Sequence, residues 1–206
     1  MMSARAQVLA KPGIDVLRTM VAQANPNTLA TANKTKQAGV LYGASLAEMK
    51  QRNFAEARQH LTRLQALGGF DANAQRVVRL LAAELALASG DASQAVVLLE
   101  SKATVMAAND RATRIQLAQS RVATHQAVQA KMAANEMSLW LSQHPRDATA
   151  WLVLASAHEL MGDRLRSIRA QAEARAVELD AGAAVDRFKA AQILAHQLAN
   201  EGKLDA

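Results

Sequence analysis

The side chains most able to do chemistry in this chain are its five histidines, His60, His125, His144, His158 and His196. A zinc-peptidase helix carries two histidines four residues apart on one face, with a glutamate directly after the first. His158-Glu159 opens such a motif, but Gly162 stands where the second histidine is needed. At its repeat position His158 reads as a packing residue. His144 precedes Pro145 at the end of a predicted helix, where the helix dipole favours an imidazolium, a structural role. His60 and His196 fall on predicted helix surfaces without a partner at metal spacing.

There is no cysteine, which removes thiol catalysis, disulfides and cysteine-based zinc sites. No G-x-S-x-G, P-loop or G-x-G-x-x-G occurs, and Gly68-Gly69 follows a helix and reads as a turn. Carboxylates such as Glu178 and Asp180 fall near helix ends, where capping or solvation is their ordinary use. Met132 and Met137 read as core filler, and Trp140 and Trp151 as braces between helix layers. The sequence thus predicts no catalytic residue, no metal and no cofactor in this chain, and no small-molecule substrate.

The formal net charge is +6, which admits nucleic acid, an anionic surface or an acidic partner. The densest basic stretch is Arg164, Arg166, Arg169 and Arg175, interrupted by Glu173, Glu178 and Asp180. That reads as a solvated helix face. Aromatic residues are 3% of the chain and none is interleaved with those arginines, so a base-stacking platform is disfavoured. Half of the residues are hydrophobic, which argues for a packed core. Alanine abounds while β-branched and aromatic residues do not dominate, which excludes an all-β fold. No apolar run reaches the ~18 residues of a membrane span. The start, Met1 to Gln7, lacks the apolar core of a signal peptide. Ala6, Val8 and Leu9 already lie on a helical stripe there, so a piece of a longer protein is expected.

Helix signals recur throughout. The spacing predicts helices over Ile14–Gln23, closed by Asn25-Pro26-Asn27, then onward to Gln51, and over Phe54–Leu67, stopped by Gly68-Gly69. Further helices are predicted over Asn73–Ala88, Ala92–Ser101, Asp110 or Arg111 to Thr124, and Ala127–Gln143. The last are Asp147–Met161, Arg164–Leu179 and Ala183–Ala199. Ala103–Asn109 is ambiguous.

Paired helices at even spacing match the tetratricopeptide pattern of ~34 residues. Pro145 and Trp151 independently place one repeat at Ala148, with Ala155 at its eighth position, Gly162-Asp163 at its turn, and Ser167 and Ala174 at later small positions. Earlier repeats start at Ala38, with Ser45 eighth, and at Arg76, with Ala83 eighth but Arg79 a poor fourth. A third starts at Arg114, where Arg121 falls eighth and does not fit; Ala118 would fit better. An extended loop around His125–Gln129 would explain that offset. The predicted fold is all-α, a right-handed solenoid of tetratricopeptide-like helical hairpins with about ten helices. It forms a single domain: helices leading in over 1–37, about four hairpins over 38–181, and a C-terminal capping helix over 182–206 anchored by Phe188.

The first helices of the pairs would line a concave face. The candidate partner-binding groove is Tyr42, Leu46, Met49, Leu80, Glu84, Leu87, His125, Leu152, Ser156 and Glu159, with Val77 and Val122 beside them.

The motifs also carry a resemblance. They are Ala4-Arg5-Ala6, the run from Leu41-Tyr42-Gly43 to Ala47, Asn53-Phe54-Ala55-Glu56-Ala57-Arg58, and His144-Pro145-Arg146-Asp147 through Trp151. Arg169-Ala170-Gln171-Ala172-Glu173-Ala174 and Asp186-Arg187-Phe188 complete the set. In order and spacing it resembles the C-terminal repeat domain of the β-barrel-assembly-enhancing proteases, bacterial periplasmic zinc peptidases with an upstream H-E-x-x-H domain. The resemblance implies a periplasmic protein-interaction module that packs beside a protease domain and presents outer-membrane clients or meets their assembly machinery. Zinc would belong to the upstream domain. The other reading is a stand-alone cytosolic adaptor or regulator binding an acidic partner or nucleic acid.

Overall fold

A computed structural model of the chain describes residues 1–10, 13–100 and 110–201. Among them all regular secondary structure is helical, in twelve helices. The first four are α1 (Met2–Leu9), α2 (Ile14–Ala22), the single turn α3 (Pro26–Leu29) and α4 (Lys34–Lys50). Next come α5 (Phe54–Ala66), α6 (Ala72–Ala88), α7 (Ala92–Glu100) and α8 (Arg111–Ala123). The last are α9 (Ala127–Gln143), α10 (Ala148–Leu160), α11 (Arg164–Val177) and α12 (Ala181–Asn200). No helix among the described residues is long and apolar enough to cross a membrane. Ser101 and the ambiguous stretch Ala103–Asn109 lie outside the described residues.

Short acidic or amide side chains start the helices. Asn33, Asp71, Asp91, Asp147, Asp163 and Asp180 each accept a hydrogen bond from the backbone N–H three residues on. Each such cap satisfies an orphan donor and contributes about 1 kcal/mol. Asn33 corrects the expectation of one helix from Asn27 to Gln51. It ends one segment and caps α4, while the Gln37 amide donates to the Leu29 and Ala32 carbonyls left open by α3.

Four hairpins follow from one turn geometry. Arg52, Gly90, His125 and Gly162 sit in the left-handed region, with φ of 65°, 89°, 56° and 75°. In three of these turns the next N–H reaches back to close the helix: Asn53 to Glu48, Asp91 to Ala86 and Asp163 to His158, at 2.8–2.9 Å. Seven residues before each left-handed residue stands Ser45, Ala83, Ala118 or Ala155, and five after stands Ala57, Ala95, Ala130 or Ser167. All eight are buried. These small residues let the two helices approach closely, and Ser45 Oγ donates across the first crossing to the Ala57 carbonyl at 3.0 Å.

This register corrects the third repeat. It begins three residues earlier than Arg114, so Ala118 occupies the crossing. Arg121, too large for that place, instead donates to Glu136 at 2.7 Å. The extended loop expected at His125–Gln129 is absent. His125 takes up the reversal and α9 starts at Ala127.

The contacts divide the chain into two compact units, 1–106 and 107–206. Unit 1 centres on Leu41, Tyr42, Leu46, Leu64, Leu81 and Leu85. Unit 2 centres on Ala118, Ala133, Met137, Val153, Leu154 and Ala170. The Ala133 and Ala155 positions expected at close helix approaches are both buried. Met132, read as core filler, is exposed. It lies on the solvent side of α9, one residue from the buried Ala133.

The terminal helix departs from its expected anchor. Phe188 is 40% exposed, and Val185 and Ile193 are more so. α12 packs on α11 and buries Ala184 and Ala191 instead. Small residues carry this contact as they carry the hairpin crossings, and they leave the ring on the flank.

Candidate functional site

The residues predicted to line one groove have different surroundings in the two units. In unit 2, α10 turns Ala150, Val153, Leu154 and Ala157 inward. Leu152, Ser156 and Glu159 follow the same helical face on the open side. With Val122 and His125 from the end of α8 and its turn, they line a cleft of about 420 Å³. Four of the ten predicted groove residues, His125, Leu152, Ser156 and Glu159, thus meet in one place.

The cleft floor is apolar, made by Val122, Leu152, Ala155 and Leu160. Its wall is a polar ladder from the second helix of the pair. Ser167 Oγ donates to Glu159 Oε2 at 3.0 Å, and Gln171 Nε2 donates to Ser167 Oγ at 3.2 Å. Arg175 and Arg187 give the far end its basic character. Arg175 donates to Glu178 at 2.9 Å. Sequence reasoning missed Ser167, Gln171, Arg175 and Arg187 because it drew the groove from first helices alone. The spacing of 167, 171 and 175, one turn apart on α11, was the available signal.

Chemically the cleft is suited to binding. Its two serine hydroxyls are both committed as donors, Ser156 Oγ to the Leu152 carbonyl and Ser167 Oγ to the Glu159 carboxylate. Neither serine proton is therefore directed at an imidazole, as a base-activated nucleophile requires.

In unit 1 the predicted groove is closed. Tyr42 is 1% exposed, and Leu46 and Met49 are buried with it in the core. This corrects their assignment to an open surface. At Tyr42 the cover is α1, which packs on α4. Arg5 Nη1 donates to Tyr42 Oη at 3.2 Å and to Glu84 Oε2 at 2.7 Å. Burial raises the pKa of the Tyr42 hydroxyl, and the Arg5 guanidinium partly counters it. Leu80, Glu84, Leu87 and Val77 on α6 are half-buried.

His60, His144, His158 and both tryptophans have structural surroundings, and His196 is exposed. His158 is mostly buried, with Nδ1 3.8 Å from Asp163 Oδ2, and burial pushes its pKa below the ordinary histidine value. The residue four on, Gly162, is the left-handed turn residue. No group of three or more potential metal ligands occurs among the described residues. His60 is half-buried rather than on a surface, and burial lowers its pKa too. Trp140 Nε1 donates to Asp147 Oδ2 at 2.9 Å, and its ring centre lies 3.9 Å from that of His144. Arg111 grips the same carboxylate through two 2.7 Å hydrogen bonds. Together with the Ala150 N–H and the Trp140 indole, it holds the Asp147 pKa down to about 2. Trp151 Nε1 donates to the Pro145 carbonyl at 2.9 Å. These contacts brace the connection between α9 and α10.

No family model matches the chain, and no curated protein matches it. Among solved structures it is similar to YrrB, described as a TPR protein with an unusual peptide-binding site. The TM-score is 0.59 at 16% identity, over 89% of this chain and 88% of that one. At that identity the likeness speaks to fold. With the hairpin register above, it shows that the chain has the tetratricopeptide-repeat type of all-α fold.

Proposed function

We propose that the chain is a protein–protein interaction module and that its unit-2 cleft holds a segment of a partner protein. The observation that carries this reading is the cleft itself. An apolar floor is flanked by a hydrogen-bonded polar wall and a basic end, and the serine hydroxyls at its edge are tied into that wall and into α10. YrrB, similar in fold, is described as having a peptide-binding site, which supports the same class of ligand here.

Panning a random peptide library on the unaltered chain alone, followed by titration of the selected peptides against Leu152→Asp, tests this. Selected peptides should bind the unaltered chain at least tenfold more tightly than the variant, because a carboxylate in the floor opposes apolar burial. Peptides that bind both equally would overturn the assignment.

We further propose that the module is the non-catalytic C-terminal domain of a periplasmic zinc metalloprotease. There it docks on the protease domain or presents outer-membrane clients. The supporting observation is the ordered set of motifs from Ala4-Arg5-Ala6 to Asp186-Arg187-Phe188. The coding sequence upstream is decisive. An H-E-x-x-H domain in frame with this chain sustains the proposal, and an upstream region without one removes it.

A further inference from the structure

The densest basic stretch of the sequence, Arg164 to Arg175, is not one solvated face. α11 turns Ser167, Gln171 and Arg175 to one side and Arg166 and Arg169 to nearly the opposite side. The first side lines the cleft described above. The second lines another cleft of about 350 Å³ in unit 2, formed by α9, α10 and α11. α10 contributes to both clefts. Leu152, Ser156 and Glu159 line the first, and Trp151, Leu154 and His158, about 130° round the helix axis, line the second.

This second cleft combines apolar surface with cationic charge. Leu141, Trp151, Leu154 and Ala170 supply the apolar part. α9 adds the hydroxyls of Ser138 and Ser142, one turn apart, and α11 adds the guanidiniums of Arg166 and Arg169, also one turn apart. Among the described residues that line it there is no carboxylate. The nearby Asp163 is occupied with the helix start, accepting from the Arg166 N–H at 3.1 Å. Its other oxygen lies 3.1 Å from Arg166 Nη1, but that arginine is 73% exposed, so the ion pair is weak. Arg169 is exposed and has no ion-pair partner among the described residues. Burial holds the His158 pKa below the ordinary histidine value, so the positive charge of the cleft is that of the two arginines.

We propose that this cleft is a second protein-docking site, which takes an acidic segment of a partner. A glutamate or aspartate of that segment meets Arg166 and Arg169, and a neighbouring aliphatic side chain lies on Trp151 and Leu154. Guanidiniums pair with carboxylates in a planar fork, and the net charge of +6 favours encounter with an acidic partner. Nucleic acid suits the cleft less well. Base stacking needs an open aromatic face, whereas Trp151 is half-buried and its Nε1 is tied to the Pro145 carbonyl. The inference shares with the proposed function the class of partner, a protein, but the two clefts have no lining residue in common.

The test uses the full chain and, as probe, a fluorescent hexapeptide of alternating glutamate and leucine, capped at both ends. Binding should saturate, and Arg169→Glu should weaken it at least fivefold. Arg164→Glu makes the same change of charge on α11 outside both clefts and should weaken it less than twofold. Arg169→Gln, a milder change at the same exposed position, should act in the direction of Arg169→Glu. Leu152→Asp, which lies in the first cleft, should leave the affinity within twofold, so that failure of that cleft and failure of this one read differently. In NMR spectra the peptide should move the ring signals of His158 and leave those of His60 in place. Absence of saturable binding, equal losses for Arg164→Glu and Arg169→Glu, or a loss with Leu152→Asp and none with Arg169→Glu would overturn the proposal. So would oligouridylate that binds more tightly than the peptide and is released by Arg169→Glu.

Discussion

Replacing Ala118 by leucine tests the hairpin register where it is least obvious. Ala118 is fully buried in α8, seven residues before the left-handed His125, and the equally buried Ala130 stands five residues after it. Leucine adds three carbons. With room available they would stabilise by roughly 2 kcal/mol through burial. At a crossing held close by alanines they instead force the helices apart, and the expected cost is about 1–3 kcal/mol. Both tryptophans, Trp140 and Trp151, lie in unit 2, so indole fluorescence follows that unit alone. With a urea dependence of about 1–3 kcal/mol per molar, the unfolding midpoint should fall by about 1 M. Gln119→Leu, one residue along on the exposed side, should change stability by no more than about 0.5 kcal/mol. An unchanged or raised midpoint for Ala118→Leu would refute the crossing assignment and the common register built on it.

Three further predictions follow from the turns, the Asp147 cluster and the last helix. Gly162→Ala, at φ 75°, should cost about 1–2 kcal/mol by urea unfolding, whereas His125→Gly should leave stability equal or higher. The folded Asp147 carboxyl has a pKa of about 2 against an ordinary value of 3.8, so its contribution is present above about pH 4 and is lost as pH falls from 4 through 2. Acid unfolding followed at Trp140 should show this loss, and Asp147→Asn should flatten the profile in that window. Phe188→Ala should cost no more than about 2 kcal/mol because the ring is only part-buried, while Ala191→Leu should cost about 1–3 kcal/mol by separating α12 from α11. Differential scanning calorimetry of the two variants checks the pair, and a large loss at Phe188 would restore it as the anchor.

The helices and most hairpin partners were legible in the sequence because their causes are local. An aspartate or asparagine before an apolar run caps the backbone three residues on, as Asp147 and Asp163 do, and Gly90 and Gly162 supply the left-handed turn at no steric cost. The open face of α10 was legible for the same reason: helical periodicity alone places Leu152, Ser156 and Glu159 together. The third register was harder to read because His125 occupies a left-handed position where glycine would have marked the turn. Only the tertiary structure decided which candidate faces stay open. Tyr42 is buried through an arginine 37 residues away, and Glu84 is engaged by that same arginine from a distance of 79 residues. Phe188 is left on the flank because Ala184 and Ala191 fit α11 more closely. Periodicity identifies the apolar side of a helix. Which neighbour covers it depends on contacts between segments far apart in the chain, and on whether two backbones can approach at a glycine or alanine.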